Sequence, residues 1–135
     1  MFDLKTRVLI ADDMKTLRMI VTKVLRGLGF SDIIEAADGN LAWQALQESN
    51  PPVGIIISDW VMPNCTGIEF LKKVRADKKF THLPFILLTA EAEAHQIQQA
   101  VVLGVSGYVV KPFTAETVKI QLEKVHQKIS GQKPG

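Results

Sequence analysis

Three carboxylates, a hydroxyl and an amine stand where short apolar runs of this 135-residue sequence stop. "VLIA" runs into Asp12-Asp13, "GIIIS" into Asp59, "FILL" into Thr89 and "GYVV" into Lys111-Pro112. An apolar run that halts on a polar residue reads as a buried strand delivering that residue to the rim of a sheet. Gathered at about 4–5 Å in an effective dielectric near 20, the carboxylates repel by roughly 3–4 kcal/mol per pair. Without a counter-charge they raise one another's pKa. The donors are all oxygens, with no His or Cys among them, which suits a hard cation, Mg²⁺ ahead of zinc. A metal and a lysine facing a carboxylate fit phosphoryl transfer, where positive charge offsets the equatorial oxygens. In that setting a carboxylate can be the nucleophile and become an aspartyl phosphate.

The elements that must hold these groups alternate along the chain. Strands are expected at Val8–Ala11, Ile33–Ala36, Val53–Ser58, "PFILLT" and "GYVV". Between them, Leu17, Ile20, Val21, Val24, Leu25 and Leu28 repeat at helical spacing until "GLGF" stops the helix. A second helix opens with an Asp38-Gly39 turn, carries Leu41, Ala42, Ala45 and Leu46 on one face, and ends at Pro51-Pro52. Ile68, Leu71 and Val74 mark a third, and "AEAHQIQQAVVLG" a fourth that stops at Gly104. Val118, Leu122, Val125 and Ile129 mark the last. Alternation of this kind gives the α/β class, a doubly wound five-stranded parallel sheet, because each parallel connection needs a crossover. Ligands of such folds bind beyond the carboxyl ends of the strands, where the polar residues above fall.

Composition narrows the function further. Hydrophobic content of 47% and charged content of 22% are ordinary for one soluble domain. A formal net charge of +2 is too small for a nucleic-acid surface, so no nucleic acid is expected. No apolar run reaches the roughly 18 residues of a membrane span, and the N-terminus lacks a signal-peptide pattern. With one cysteine, Cys65, an internal disulfide is excluded and a cytoplasmic location is expected. The reading is a single domain over 1–135 with its core at about 7–129 and a disordered tail at 130–135. The chain ends close behind the fifth helix, so no DNA-binding domain is expected; a monomer is expected as well.

"LIADD", "SDWVMPNCTG", "LLTAEA" and "GYVVKPFTA" together resemble the bacterial response-regulator receiver domains, nearest to the single-domain chemotaxis regulators of the CheY type. The resemblance covers residues 7–129 and rests on several motifs in the right order. It implies a flavodoxin-like (βα)5 fold with strand order 2-1-3-4-5. It implies that Asp59 accepts a phosphoryl group from a histidine kinase. Asp13 and Asp59 would ligate Mg²⁺ with the backbone carbonyl of Val61, Asp12 acting largely through water. Lys111 would contact the phosphoryl group, held by a cis bond to Pro112. Thr89 and Tyr108 would be the switch pair, with Tyr108, Val110 and Ile120 on the partner-binding surface. The implied partners are the kinase CheA, the flagellar motor switch protein FliM and a dedicated phosphatase. The protein would be no enzyme toward other molecules, catalysing only its own phosphotransfer and dephosphorylation. A phosphate sink that drains the kinase, or a receiver of a non-chemotaxis phosphorelay, is the alternative.

Two other classes fit less well. A haloacid-dehalogenase-like phosphatase places its nucleophile in an Asp-x-Asp after strand one, where this chain has "ADDMKT". A flavodoxin-like carrier needs a hydroxyl-rich phosphate loop there, and paired carboxylates repel phosphate. The chain also departs from the chemotaxis pattern: Val61 stands where asparagine is usual, Met14 replaces phenylalanine, and Cys65-Thr66 replaces a pair ending in Asp. Gln121 replaces a lysine. Cys65 is expected to be an inert loop residue, Trp60 to pack beside the site, and His82, His95 and His126 to lie on the surface. Ile120 falls opposite the buried face of the last helix, so it should be exposed.

Overall fold

A computed structural model describes residues 2–90 and 94–131. Five strands alternate with five helices: β1 Val8–Ala11, α1 Lys15–Gly27, β2 Ile33–Ala36, α2 Gly39–Glu48, β3 Ile55–Asp59, α3 Gly67–Ala76, β4 Phe85–Thr89, α4 Ala94–Val102, β5 Gly107–Val110 and α5 Ala115–Gly131. All pairings are parallel and the strand order is β2-β1-β3-β4-β5. This is the doubly wound sheet that the alternation implied.

Burial follows position in the sheet. Every residue of the inner strands β1, β3 and β4 is buried, while the edge strands β2 and β5 are only partly covered. Alternate side chains feed two cores. Leu9, Ile56 and Leu87 point toward α2, α3 and α4, meeting Leu46, Leu71 and Ala100. Val8, Ile10, Ile57 and Leu88 point the other way, onto Val21 and Leu25 of α1 and Leu122 and Val125 of α5. Each fully buried aliphatic side chain contributes on the order of 1.5–3 kcal/mol, so the inner strands are rigid supports.

Helix starts have local causes. Thr66 caps α3 in a reciprocal capping box: its hydroxyl accepts from the Glu69 amide at 3.2 Å, and the Glu69 carboxylate accepts from the Thr66 amide at 2.9 Å. Asp38 is likewise a helix cap, accepting from the Leu41 amide at 2.8 Å, rather than the turn expected from Asp-Gly. That capping bond holds the Asp38 carboxyl below its ordinary pKa. Gly104 closes the α4 end at φ 90°, a conformation that costs a side chain dearly.

Several expectations shift. β3 begins at Ile55 instead of Val53 and takes in Asp59, which pairs with Leu88; Val53 is buried but lies outside the ladder. Leu41 is 49% exposed, so Ala42 and Leu46, with Gly39 at the helix start, form the buried face of α2. Ile20 is exposed on α1 as well. α5 extends to Gly131, beyond the expected core limit of 129, and positions 132–135 of the expected tail lie outside the described residues. The Lys111–Pro112 bond is cis, as expected, and so is Asn50–Pro51.

Candidate functional site

Register brings the polar residues level. Ala11 pairs with Ser58, so the next residues, Asp12 and Asp59, stand side by side at the carboxyl rim. Asp59 pairs with Leu88 and Thr89 with Val110, which sets Thr89 and then Lys111 one step further out. Backbone bonds fix the turn behind each group. The Trp60 amide donates to the Leu88 carbonyl at 3.0 Å, and the Lys111 amide to the Thr89 carbonyl at 2.7 Å.

Ligand atoms of Asp12, Asp13 and Asp59 all lie within 4.8 Å of one another. Asp12 is fully buried, Asp59 nearly so, and Asp13 exposed. The Lys111 ammonium donates to Asp59 Oδ1 at 2.9 Å and stands 4.0 Å from Asp12 Oδ2. Asp59 Oδ1 also accepts from the Trp60 amide at 2.9 Å. Asp12 Oδ1 accepts from the Met14 amide at 2.9 Å, but Oδ2 is buried with no hydrogen-bond partner. Burial, opposed by the Met14 amide, raises the Asp12 carboxyl above its ordinary pKa; the Asp59 and Asp13 charges push it the same way, and Lys111 opposes them.

A buried carboxylate oxygen without a donor is costly unless a cation takes its place. One ammonium cannot offset three carboxylates. The all-oxygen donor set and the orphaned Oδ2 therefore fit a hard divalent ion, magnesium by its chemistry. Asp12, Asp13 and Asp59 are the side chains that could hold it.

The remaining site residues divide between this rim and a neighbouring face. Thr89 is buried at the end of β4, one residue past the partner of Asp59. The Val61 side chain is 73% exposed on the turn after Trp60. Trp60 is half-buried and packs against the core. Tyr108 is part-exposed on the edge strand, paired with Leu87. A groove of about 250 Å³ beside it is lined by Val101, Gln121 and Lys124. Ile120 is exposed as expected, and Val110 is half-buried. Gln121, not Ile120, reaches the groove.

The chain belongs to the response regulator receiver domain family. The family model matches residues 8–123. Among similar proteins, the chemotaxis protein CheY of Pseudomonas aeruginosa is 45% identical over 93% of this chain and 99% of its own. CheY-3 of Vibrio cholerae is 44% identical over 91% of this chain and 93% of its own. The solved structure of the response regulator CheY4 of Vibrio cholerae superposes with a TM-score of 0.82 at 35% identity, covering 90% of this chain and 98% of that one. This receiver has no described helix long and apolar enough to cross a membrane.

Arg18 is the residue of the receiver site that sequence reasoning missed. It donates from Nη1 to the Asp12 carbonyl at 2.6 Å and from Nε to Glu35 at 3.1 Å, bracing the acidic turn from α1. A basic residue one turn into the helix that follows an acidic pair is the signal that could have found it. Cys65 is buried, and burial pushes its thiol up, which suits the inert role expected. His82 is exposed as expected, and the His95 side chain lies outside those described. His126 is a correction: it is half-buried, its ring edge-on to Phe2 at 5.1 Å, because the N-terminal segment folds over α5.

Proposed function

We propose that this receiver is a phosphorylation-activated switch of a two-component chemotaxis system, with Asp59 as the acceptor. The observation that carries the reading is the pairing of Lys111 with Asp59 at 2.9 Å beside a buried, unpartnered oxygen of Asp12. Asp59 Oδ1 is taken by two donors, so a free lone pair of its carboxylate is aimed by a fixed backbone. A carboxylate oxygen attacks the phosphorus of a phosphohistidine, the P–N bond breaks, and the histidine leaves with the bond's electrons. Asp13, Asp59 and the Val61 carbonyl would hold Mg²⁺, with Asp12 acting largely through water; bound there, the ion would supply positive charge against the phosphoryl oxygens. Lys111 follows the new charge onto the phosphoryl group. Thr89 shifts toward that group, and Tyr108 turns on β5 beside it. One added dianion thus biases two conformers of the same surface.

The named relatives support chemotaxis as the setting. The donor is then a kinase of the CheA type and the receiver of the output the motor switch protein FliM, docking over Tyr108, Val110 and Ile120 to control flagellar rotation. A dedicated phosphatase and the receiver's own hydrolysis end the signal, in the cytoplasm, on a monomer.

Acetyl phosphate and Mg²⁺ test the chemistry. A labile adduct of about 80 Da, the mass of one phosphoryl group, is expected on the protein and absent from Asp59→Asn. Sustained phosphate release without the adduct would point to a turnover phosphatase instead. Binding of a FliM N-terminal peptide with and without beryllofluoride tests the output. Equal binding in both states removes the motor reading and leaves a phosphate sink.

A further inference from the structure

The opposite rim of the sheet holds a cavity of about 280 Å³ between the α3–β4 turn, the α4–β5 turn and the end of α5. Arg75, Thr81, His82, Ser106 and Lys128 give it a polar lining, and among the described residues no Asp or Glu lines it. Arg75 is half-buried at its base. Its Nε donates to the Gly104 carbonyl at 2.8 Å, Nη1 to the Leu83 carbonyl at 2.7 Å and Nη2 to the Ser106 hydroxyl at 3.3 Å. A guanidinium carries five N–H donors, so three such bonds leave capacity for a ligand. All three partners are neutral oxygens, and burial alone pushes the guanidinium below its ordinary pKa.

Basic residues near helix C-termini have a plain explanation, since they offset the helix dipole. That covers the charge of Lys73 and Arg75 in the last turn of α3 and of Lys128 in that of α5. It does not explain why Arg75 is turned inward to face a cavity that His82 and Lys128 line from two other segments. Cationic groups around one cavity, without an acid, lack a counter-charge that an anion would provide.

We infer that this cavity binds a small oxyanion of the phosphate class, either inorganic phosphate or the phosphate of a monoester. Arg75 is the anchor, because its planar fork matches a tetrahedral oxyanion in two bonds, and His82 and Lys128 complete the site. The volume falls just under the roughly 300–1,000 Å³ of pockets that enclose drug-sized ligands, so a small ion fits better than a nucleotide. The same guanidinium holds Gly104 and Ser106, on the turn that leads into β5 and Tyr108. An occupied site would therefore stiffen the strand that carries Tyr108. None of this depends on the chemistry assigned to Asp59.

The test is an amide NMR titration of the Mg²⁺-free protein at constant ionic strength, where the acidic rim repels anions. One arm uses inorganic phosphate, a second phenyl phosphate, and a third only sodium chloride. Saturable shifts are expected at His82, Gly104, Val105 and Ser106, with Thr89 and Lys111 unmoved. Saturation by phosphate alone identifies the free ion as ligand, and saturation by both arms the monoester class. The His82→Ala/Lys128→Ala double variant, altered only at exposed side chains, should weaken binding about tenfold by losing the Lys128 ammonium and a ring N–H donor. Arg75→Lys should weaken it further; if that variant does not fold, the double variant carries the test. Shifts that never saturate, that sodium chloride reproduces, that appear at Lys111, or that persist undiminished in the double variant would overturn the site.

Discussion

The two rims of the sheet use charge in opposite ways. At the amino rim, arginines bind loops together through protein oxygens, one carboxylate among them. Arg7 reaches Asp32, the Ser49 hydroxyl and the Pro51 carbonyl, joining the starts of β1, β2 and β3. Arg75 joins the two turns that precede β4 and β5. At the carboxyl rim, three carboxylates crowd around one lysine, and one buried oxygen is left without a donor. The first arrangement lowers the energy of the fold as it stands. The second lowers it only when a further charge arrives, which makes that rim a site. The acidic rim thus carries an uncompensated electrostatic cost as it stands, whereas each guanidinium of the opposite rim is already held by protein oxygens.

The largest expected effect lies on the acidic rim. Lys111→Ala removes the ammonium that contacts Asp59, and should slow labelling by acetyl phosphate by about 100-fold or more, read by mass spectrometry over time. An unchanged rate would mean that Lys111 merely props the carboxylates apart. Arg75→Met should cost about 2–3 kcal/mol in urea unfolding, because the Gly104 and Leu83 carbonyls lose a charged donor. Its Mg²⁺ affinity should stay as in the parent, and a joint loss would erase the contrast between rims.

Asp12→Asn should do the reverse for stability. With no Mg²⁺ present it removes a buried charge and its repulsion by Asp59, and raises Tm by about 3–5 °C, or about 1 kcal/mol, while weakening Mg²⁺ binding. The pH dependence has a fixed sign. The Asp12 carboxyl titrates above its ordinary 3.8 in the folded protein, so the native state binds that proton more tightly than the unfolded chain. Its penalty is complete above the raised pKa and fades as pH falls toward 3.8, a component that Asp12→Asn should remove from the stability profile. The smallest effect belongs to Asp32→Asn, which breaks a partly exposed ion pair with Arg7 at 2.9 Å. A loss of about 0.5–1 kcal/mol that shrinks in high salt is expected from calorimetry.

Much of this was legible in the chain because the inner strands are continuous apolar runs. Ile55–Ile57 cannot face water on either side, so Asp59 had to emerge at an end, and Asp12, Thr89 and Lys111 follow by the same logic. Edges were harder. Asp38-Gly39 carries turn chemistry, yet the carboxylate serves the Leu41 amide as a cap, a choice between two uses of the same side chain. Leu41 sits at core spacing on α2 but beyond the reach of the partly covered edge strand β2. Arg18 and Arg75 were hidden because long side chains choose partners in space. Arg75 bonds a carbonyl 29 positions away, and no local pattern encodes that.

The turn between β3 and α3 is clasped at its base. The Gly67 amide donates to the Trp60 carbonyl at 2.9 Å, and a methyl group on Gly67 would strike the Asp59 carbonyl. The clasp fixes the backbone on both sides of the turn. Exchanging the exposed Val61 side chain should therefore leave the backbone that aims Asp59 in place, whereas Asn64, at φ 67° and bonded to Asp38, tolerates less.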